Sequence, residues 1–256
     1  MTKTDRLTQL FGKQITQGAF APGAALPSEA DLCARFAVSR NVMREVIKVL
    51  STKRLIDAQR HRGLFVMPRE QWNYLDADVL EWALEQGANP ELISSLLEVR
   101  SLIEPTISRW AAERATAVDL VAIEASYHDM EASRADPHAF HEADIAFHRA
   151  ILLATHNLVI QQLSDALSAL QRAIFDYTFL DNPPHMELTV KEHGELFDAI
   201  RRKNVDYAEQ ASRAMVTRTA GRARNKPEST DFSFGGETEV QENLPPPNNS
   251  NAVPMR

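Results

Sequence analysis

A chain of 256 residues that is 44% hydrophobic and 25% charged has material for one or two domains with proper cores, and is too apolar to stay unfolded throughout. Its formal charge of −7 is unevenly divided: residues 1–70 carry twelve Lys/Arg against six Asp/Glu, the remainder sixteen against twenty-nine, which puts a basic head on an acidic body and makes a polyanion an expected partner of the head. The single cysteine, Cys33, excludes a disulfide framework or cysteine zinc finger. No apolar run approaches the roughly 18 residues of a spanning helix and no secretory core opens the chain, so the expectation is a soluble cytoplasmic protein without a membrane partner.

An opening helix is predicted from about Asp5 to Gln17, apolar at Leu7, Leu10, Phe11 and Ile15, stopped at Gly18 and followed by a turn at Pro22-Gly23. Ser28 is a good N-cap for a short helix from Glu29 to Phe36, with Glu29 and Asp31 placed where the helix dipole favours acids. After a tight turn Ser39 caps a second helix, Arg40 to Leu50. Val42, Val46, Val49 and Leu50 are expected to face the core, and Arg40, Arg44 and Lys48 to lie on the other side at a spacing of four. Two helices joined in this way, the second with cations at its start, form a helix-turn-helix suited to a major groove of double-stranded DNA. Arginine can pair two acceptors on guanine or grip phosphate, and Ser39 with backbone amides can hold a phosphate at the helix start. From Leu55 to Val66 two β-prone runs flank the basic tip Arg60-His61-Arg62, which predicts a hairpin lying against the DNA backbone or minor groove. For each piece taken alone, a solvated basic surface is the competing reading.

The head is therefore drawn at residues 1–68, followed by a linker at 69–76, an all-helical body at 77–224 and a Pro/Asn/Ser-rich tail, 225–256, expected to be disordered. In the body, Leu92, Leu96, Val99 and Ile103 stack on one helix face that continues past Pro105 to Trp110. Thr116 or Asp119 caps the next helix, and Asp136-Pro137 opens another, running to about His156. Leu158 to about Thr178 reads as one helix, Asp181-Asn182-Pro183-Pro184 as a break, and Glu187–Arg202 and Val205–Arg224 complete a bundle. The fold class is mainly α: a winged helix-turn-helix with a small β-hairpin wing, plus an all-α bundle.

Two groups in the body can do chemistry. Asp144 and His148 lie one turn apart on a helix, and with His193 they would suit Zn²⁺ or a similar divalent ion; an ordinary helix-surface hydrogen bond is the alternative. Arg100 points either into the bundle, as a bidentate clamp for a carboxylate, or out to solvent. Thr189, beside the Pro183-Pro184 break, and Arg222, on the last helix, are weaker pocket candidates by position, with a surface position open for Arg222.

Pro22-Gly23, Leu26-Pro27-Ser28-Glu29, Val38-Ser39-Arg40, Arg44-Glu45 and Arg62-Gly63-Leu64-Phe65-Val66 resemble the winged helix-turn-helix of GntR-family transcriptional regulators. The wing's usual Gly-x-Gly reads His61-Arg62-Gly63, so a slightly altered wing is expected. The resemblance implies DNA contacts at Arg35, Arg40, Arg44 and the wing around Arg62 and Gly63. Residues 90–222 resemble the helical effector domain of the FadR-type subgroup through Glu98-Val99-Arg100 with Glu104, Ala111-Ala112, Asp144 and His148, Asn157, Glu192-His193 and Ala199-Ile200. In that subgroup an Asp and three His often hold a metal; Asp144, His148 and His193 match three, and the fourth falls at Met215, a poor ligand for a hard or borderline ion. The subgroup also implies an acid-binding role for Arg100. Gln71-Trp72-Asn73-Tyr74-Leu75-Asp76, Asp78-Val79-Leu80-Glu81-Trp82 and Arg109-Trp110-Ala111-Ala112-Glu113 are similar to a sugar-acid regulator of this family, which implies D-galactonate as effector. The resulting expectation is a homodimeric repressor, not an enzyme, released from operator DNA by the sugar acid. The alternatives are a same-fold regulator of another organic acid and a metal-dependent enzyme using Asp144, His148 and His193.

Overall fold

The computed structural model describes residues 1–59, 62–85, 90–178 and 183–224. The wing tip Arg60-His61 and the expected disordered tail lie outside the described residues. Helix α1 (Lys3–Thr16) begins in a reciprocal capping box between Thr2 and Asp5 and ends where Gly18 takes φ +83°. Leu7, Phe11 and Ile15 enter the head core, whereas Leu10 remains exposed. Ser28 and Ser39 cap α2 (Glu29–Arg35) and α3 (Arg40–Thr52), each accepting from the backbone N–H three residues on. The buried face of α3 is Met43, Val46, Ile47 and Leu50; Val42 and Val49 sit half-buried at its edge.

Strands β1 (Ile56–Gln59) and β2 (Gly63–Val66) form an antiparallel hairpin with Ile56 opposite Val66. The segment after Gly23 joins its edge, Leu26 donating to the Leu64 carbonyl and Val66 to that of Ala24. Gly63 starts β2 at φ +100°, a conformation that favours glycine.

The linker is docked on the head. Arg69–Gln71 forms a 3₁₀ turn, and Trp72 is buried with its indole N–H donating to the Met67 carbonyl at 2.8 Å. Helix α4 (Ala77–Leu84), capped by Asp76, serves two cores: Val79 and Trp82 join that of the head, and Leu80 joins that of the body. The Trp82 ring lies so close to Gly12 of α1 that a Cβ there would come within 2.1 Å of it. Lys53, just after α3, bonds Asp76 at 2.6 Å and Asp78 at 2.7 Å, 5.5 Å from the Trp82 ring centre.

The body continues with α5 (Pro90–Arg114), α6 (Ala117–Ala132), α7 (Pro137–Leu153), α8 (Leu158–Gln161), α9 (Ser164–Thr178), α10 (Pro183–Arg201) and α11 (Val205–Arg224). Helix α11 packs along α5, α6 along α7, and α9 touches both α7 and α4. Pro105 is accommodated within α5. That helix buries Ile93, Leu96, Leu97, Arg100, Glu104 and Ile107, so its inner face is rotated from the one its aliphatic spacing indicates: Val99 is 41% exposed. The single helix expected over 158–178 is two, parted at Gln162-Leu163, where neither glycine nor proline marks the break. A new helix follows the expected break, whose Asp181-Asn182 lie outside the described residues, but α10 starts at Pro183 and not at Glu187, because proline's missing N–H is harmless in a first turn.

Candidate functional site

The outer side of the helix-turn-helix collects the expected DNA-facing groups. Arg40 opens α3 beside its cap Ser39, and Arg44 and Lys48 follow on the same exposed side. The first N–H groups of α3 and these cations make a surface for phosphate and base edges. Arg35 lies against the rings of Phe20 and Phe36, with its guanidinium carbon 5.9 and 5.8 Å from their centres. Arg62 similarly covers Phe65, beside exposed Gly63. Arg44 differs in being held by a carboxylate: its Nε donates to Glu29 Oε1 at 2.9 Å.

In the body, helices α5, α7, α9, α10 and α11 enclose a cavity of about 60 Å³. Asp144, His148 and His193 meet on its wall, one donor atom of each lying within 4.8 Å of the others. His193 donates from Nδ1 to the Thr189 carbonyl at 2.7 Å, which aims Nε2 at Asp144 Oδ1, 2.9 Å away. His148 Nε2 stands 3.2 Å from His193 Nε2 and 3.8 Å from Asp144. Burial pushes the Asp144 carboxyl up, but His193, His148 and Arg100 together hold it well below the usual carboxylate range. Burial works against the His193 cation, yet its bond to Asp144 raises its pKa; His148 is driven down, chiefly by burial. A carboxylate and two imidazoles, one oriented by a backbone carbonyl, are a chemically sound donor set for a divalent ion. Met215 lines the same cavity and offers only a thioether.

Arg100 points inward and is 7% exposed. Its Nε and Nη2 donate to the two oxygens of Glu104, itself buried one turn on, at 2.6 and 3.2 Å. Burial opposes both charges, and their mutual attraction overcomes it, raising the Arg100 pKa and lowering that of Glu104. Thr189 and Arg222 also line the cavity. Arg222 is half-buried, its Nη1 3.4 Å from His185 Nε2, with no carboxylate at ion-pair distance among the described residues. Burial, then Arg222, pushes His185 down to about 4. The structure thus gathers Arg100, Asp144, His148, Thr189, His193 and Arg222 around one space. Sequence reasoning missed Gln171, Thr178 and Thr219, polar groups that share this space from α9 and α11. It also left Glu104 without its role as partner of Arg100, although the Arg–Glu spacing of four was a usable signal.

Residues 3–66 match the bacterial regulatory proteins of the gntR family, and residues 95–218 match the FCD domain. The chain is 52% identical over 224 residues to the galactonate operon transcriptional repressor of Escherichia coli K12, covering 88% of this chain and 98% of that one. The chain belongs to the GntR family. Another relative is the Uxu operon regulator of Haemophilus influenzae, 26% identical over 80% of this chain and 76% of that one. Among solved structures, Lar of Listeria monocytogenes shares the fold at TM-score 0.62 and 16% identity, covering 88% of this chain and 99% of that one. The GntR head thus accounts for the basic face around α3 and the wing, and the FCD domain contains the cluster of Asp144, His148 and His193. Among the described residues no helix is long and apolar enough to cross a membrane.

Proposed function

We propose that this protein is a homodimeric transcriptional repressor that leaves its operator when D-galactonate enters the cavity of the FCD domain. The observation that carries the reading is the 52% identity, through head and body alike, to a galactonate operon repressor. The chemistry of the cavity agrees with it. Arg222 offers a guanidinium to a carboxylate, and Thr178, Thr189, Thr219 and Gln171 offer hydrogen bonds to hydroxyls. Asp144, His148 and His193 would hold a divalent ion such as Zn²⁺, which when bound supplies an electrophilic anchor for an acid or hydroxyl oxygen. Arg100, already engaged by Glu104, keeps one terminal NH₂ group for a ligand.

At the other end of the molecule, Arg35, Ser39, Arg40, Arg44, Arg62 and Gly63 contact the operator, two heads reading the halves of a pseudo-palindrome. The two ends are joined by packing. Gln171 and Thr178 belong to α9, which bears on α4, and α4 seats the head through Trp82 and Lys53. A ligand that favours one position of α9 thereby favours one placement of the heads, and operator and effector weaken each other's binding by the same factor.

Fluorescence anisotropy of labelled DNA from upstream of the protein's own gene tests the reading. Tight, salt-sensitive binding reversed by D-galactonate but not by an unrelated acid is expected. Binding that galactonate leaves intact would favour a regulator of another organic acid. The enzyme alternative has no support from the matched families, whose members here are regulators.

A further inference from the structure

A carboxylate on the DNA-facing side of the head calls for a physical reason. Glu29 sits in the first turn of α2 and accepts from Arg44 Nε at 2.9 Å. Its charge opposes the polyanion and subtracts from the attraction that each cation supplies. Folding does not explain it: the side chains are 33% and 65% exposed, and ion pairs so open to water add little stability. Capping does not explain it either, because Ser28 accepts from the Asp31 N–H and Asp31 already places an acid in that turn.

The effect of the pair is geometric. Arginine has five N–H donors in a planar fork, and the two terminal nitrogens are the ones that pair end-on with O6 and N7 of guanine. A bond through Nε restrains the plane of the fork while leaving its end for another partner. An untethered arginine on its flexible stem meets phosphate as readily as base; a tethered one gives up reach for direction. The contrast within the head is plain. Arg35 and Arg62 rest on aromatic rings and Arg40 is exposed at the helix start, with no carboxylate at ion-pair distance among the described residues.

We propose that Glu29 is a specificity-determining residue: by holding Nε of Arg44 it makes Arg44 a reader of guanine in the operator, where a free arginine would act as a general phosphate contact. The inference rests on the reading of α3 as the groove-binding helix with Arg44 among its contacts.

The test selects bound sequences from a random duplex pool with the full-length parent protein and with Arg44→Ala, Glu29→Ala and Glu29→Gln. Affinities for the selected operator and for a scrambled duplex are then compared at two salt concentrations, with thermal melts checking that each variant is folded. Arg44→Ala marks the base pair Arg44 reads, as the position where a guanine preference of about 5- to 150-fold disappears. Glu29→Ala is expected to relax preference at that same position to within a few-fold. It should also bind the scrambled duplex severalfold more tightly, with a steeper salt dependence. Glu29→Gln is expected to keep the preference, because its amide oxygen still accepts from Nε. Full preference retained in Glu29→Ala would overturn the proposal. So would equal relaxation in Glu29→Gln, which would trace the effect to the charge of the first turn of α2. If Arg44→Ala erases no preference, the groove contact itself is wrong and the proposal falls with it.

Discussion

Arg100 and Glu104 neutralise each other across one turn of α5, and both are almost wholly buried. Removing one partner of such a pair leaves an uncompensated charge in the core. Arg100→Ala is therefore expected to lower stability by about 3–5 kcal/mol in urea unfolding, whereas half-buried Arg222, with no carboxylate at ion-pair distance among the described residues, should tolerate Arg222→Gln within about 1 kcal/mol. Arg222→Gln should nevertheless weaken release by galactonate; if both variants unfold at the same urea concentration, the buried pair does not stabilise the body. His141 carries a different signature. It stacks on Phe175 with ring centres 3.9 Å apart, and burial pushes its pKa down to about 4. The unfolded chain, with histidine near 6.5, then takes up more protons than the folded one between pH 6.5 and 4. Stability present above pH 6.5 is lost as the pH falls through that window. His141→Phe, which keeps the stack and cannot titrate, should lose less of its melting temperature between pH 7.5 and 5 than the parent; parallel curves would refute this assignment.

Helix α4 and its seat show which elements the sequence makes legible. Ser28, Ser39, Thr116 and Asp136 are readable as caps because a cap is a bond between residues two or three apart. The facing of α5 was harder to read. Its inward surface includes Arg100 and Glu104, which a search for apolar periodicity assigns to the outside, so Val99 took their place in the expected stripe. The division at Gln162-Leu163 carries no local breaker, neither glycine nor proline, from which it could be read. The cavity is legible only in part: Asp144 and His148 are neighbours on one helix, but Gln171, Thr178, Thr219 and Met215 arrive from elsewhere in the chain. Gly12 shows the same limit, since nothing near it in sequence announces Trp82. A Cβ at Gly12 would overlap the indole, so Gly12→Ala should displace Trp82 and destabilise the head–α4 seat by about 1–3 kcal/mol. A red shift of tryptophan emission accompanied by an earlier unfolding transition is the expected readout; an unchanged spectrum and midpoint would mean that the indole relaxes freely.

For the molecule as a whole, the uneven charge has a direct physical use. The excess of Lys/Arg over Asp/Glu within residues 1–70 draws the head to DNA, and the acidic remainder keeps the body from adhering to the same polyanion. Head and body are nevertheless not independent beads on a string. A single eight-residue helix, α4, turns Val79 and Trp82 to one core and Leu80 to the other. This has a bearing on how such proteins diversify. Recombination that pairs this body with a foreign head at Pro68 would leave Trp82 to find its berth on a strange α1, and any relative with a side chain where Gly12 stands would refuse it. A cut beyond Leu84 is no cleaner, because it parts Leu80 from the body core and α4 from α9. Neither end of this helix is a free joint, and a new operator head fits an old effector body only where α1, α4 and α9 still match.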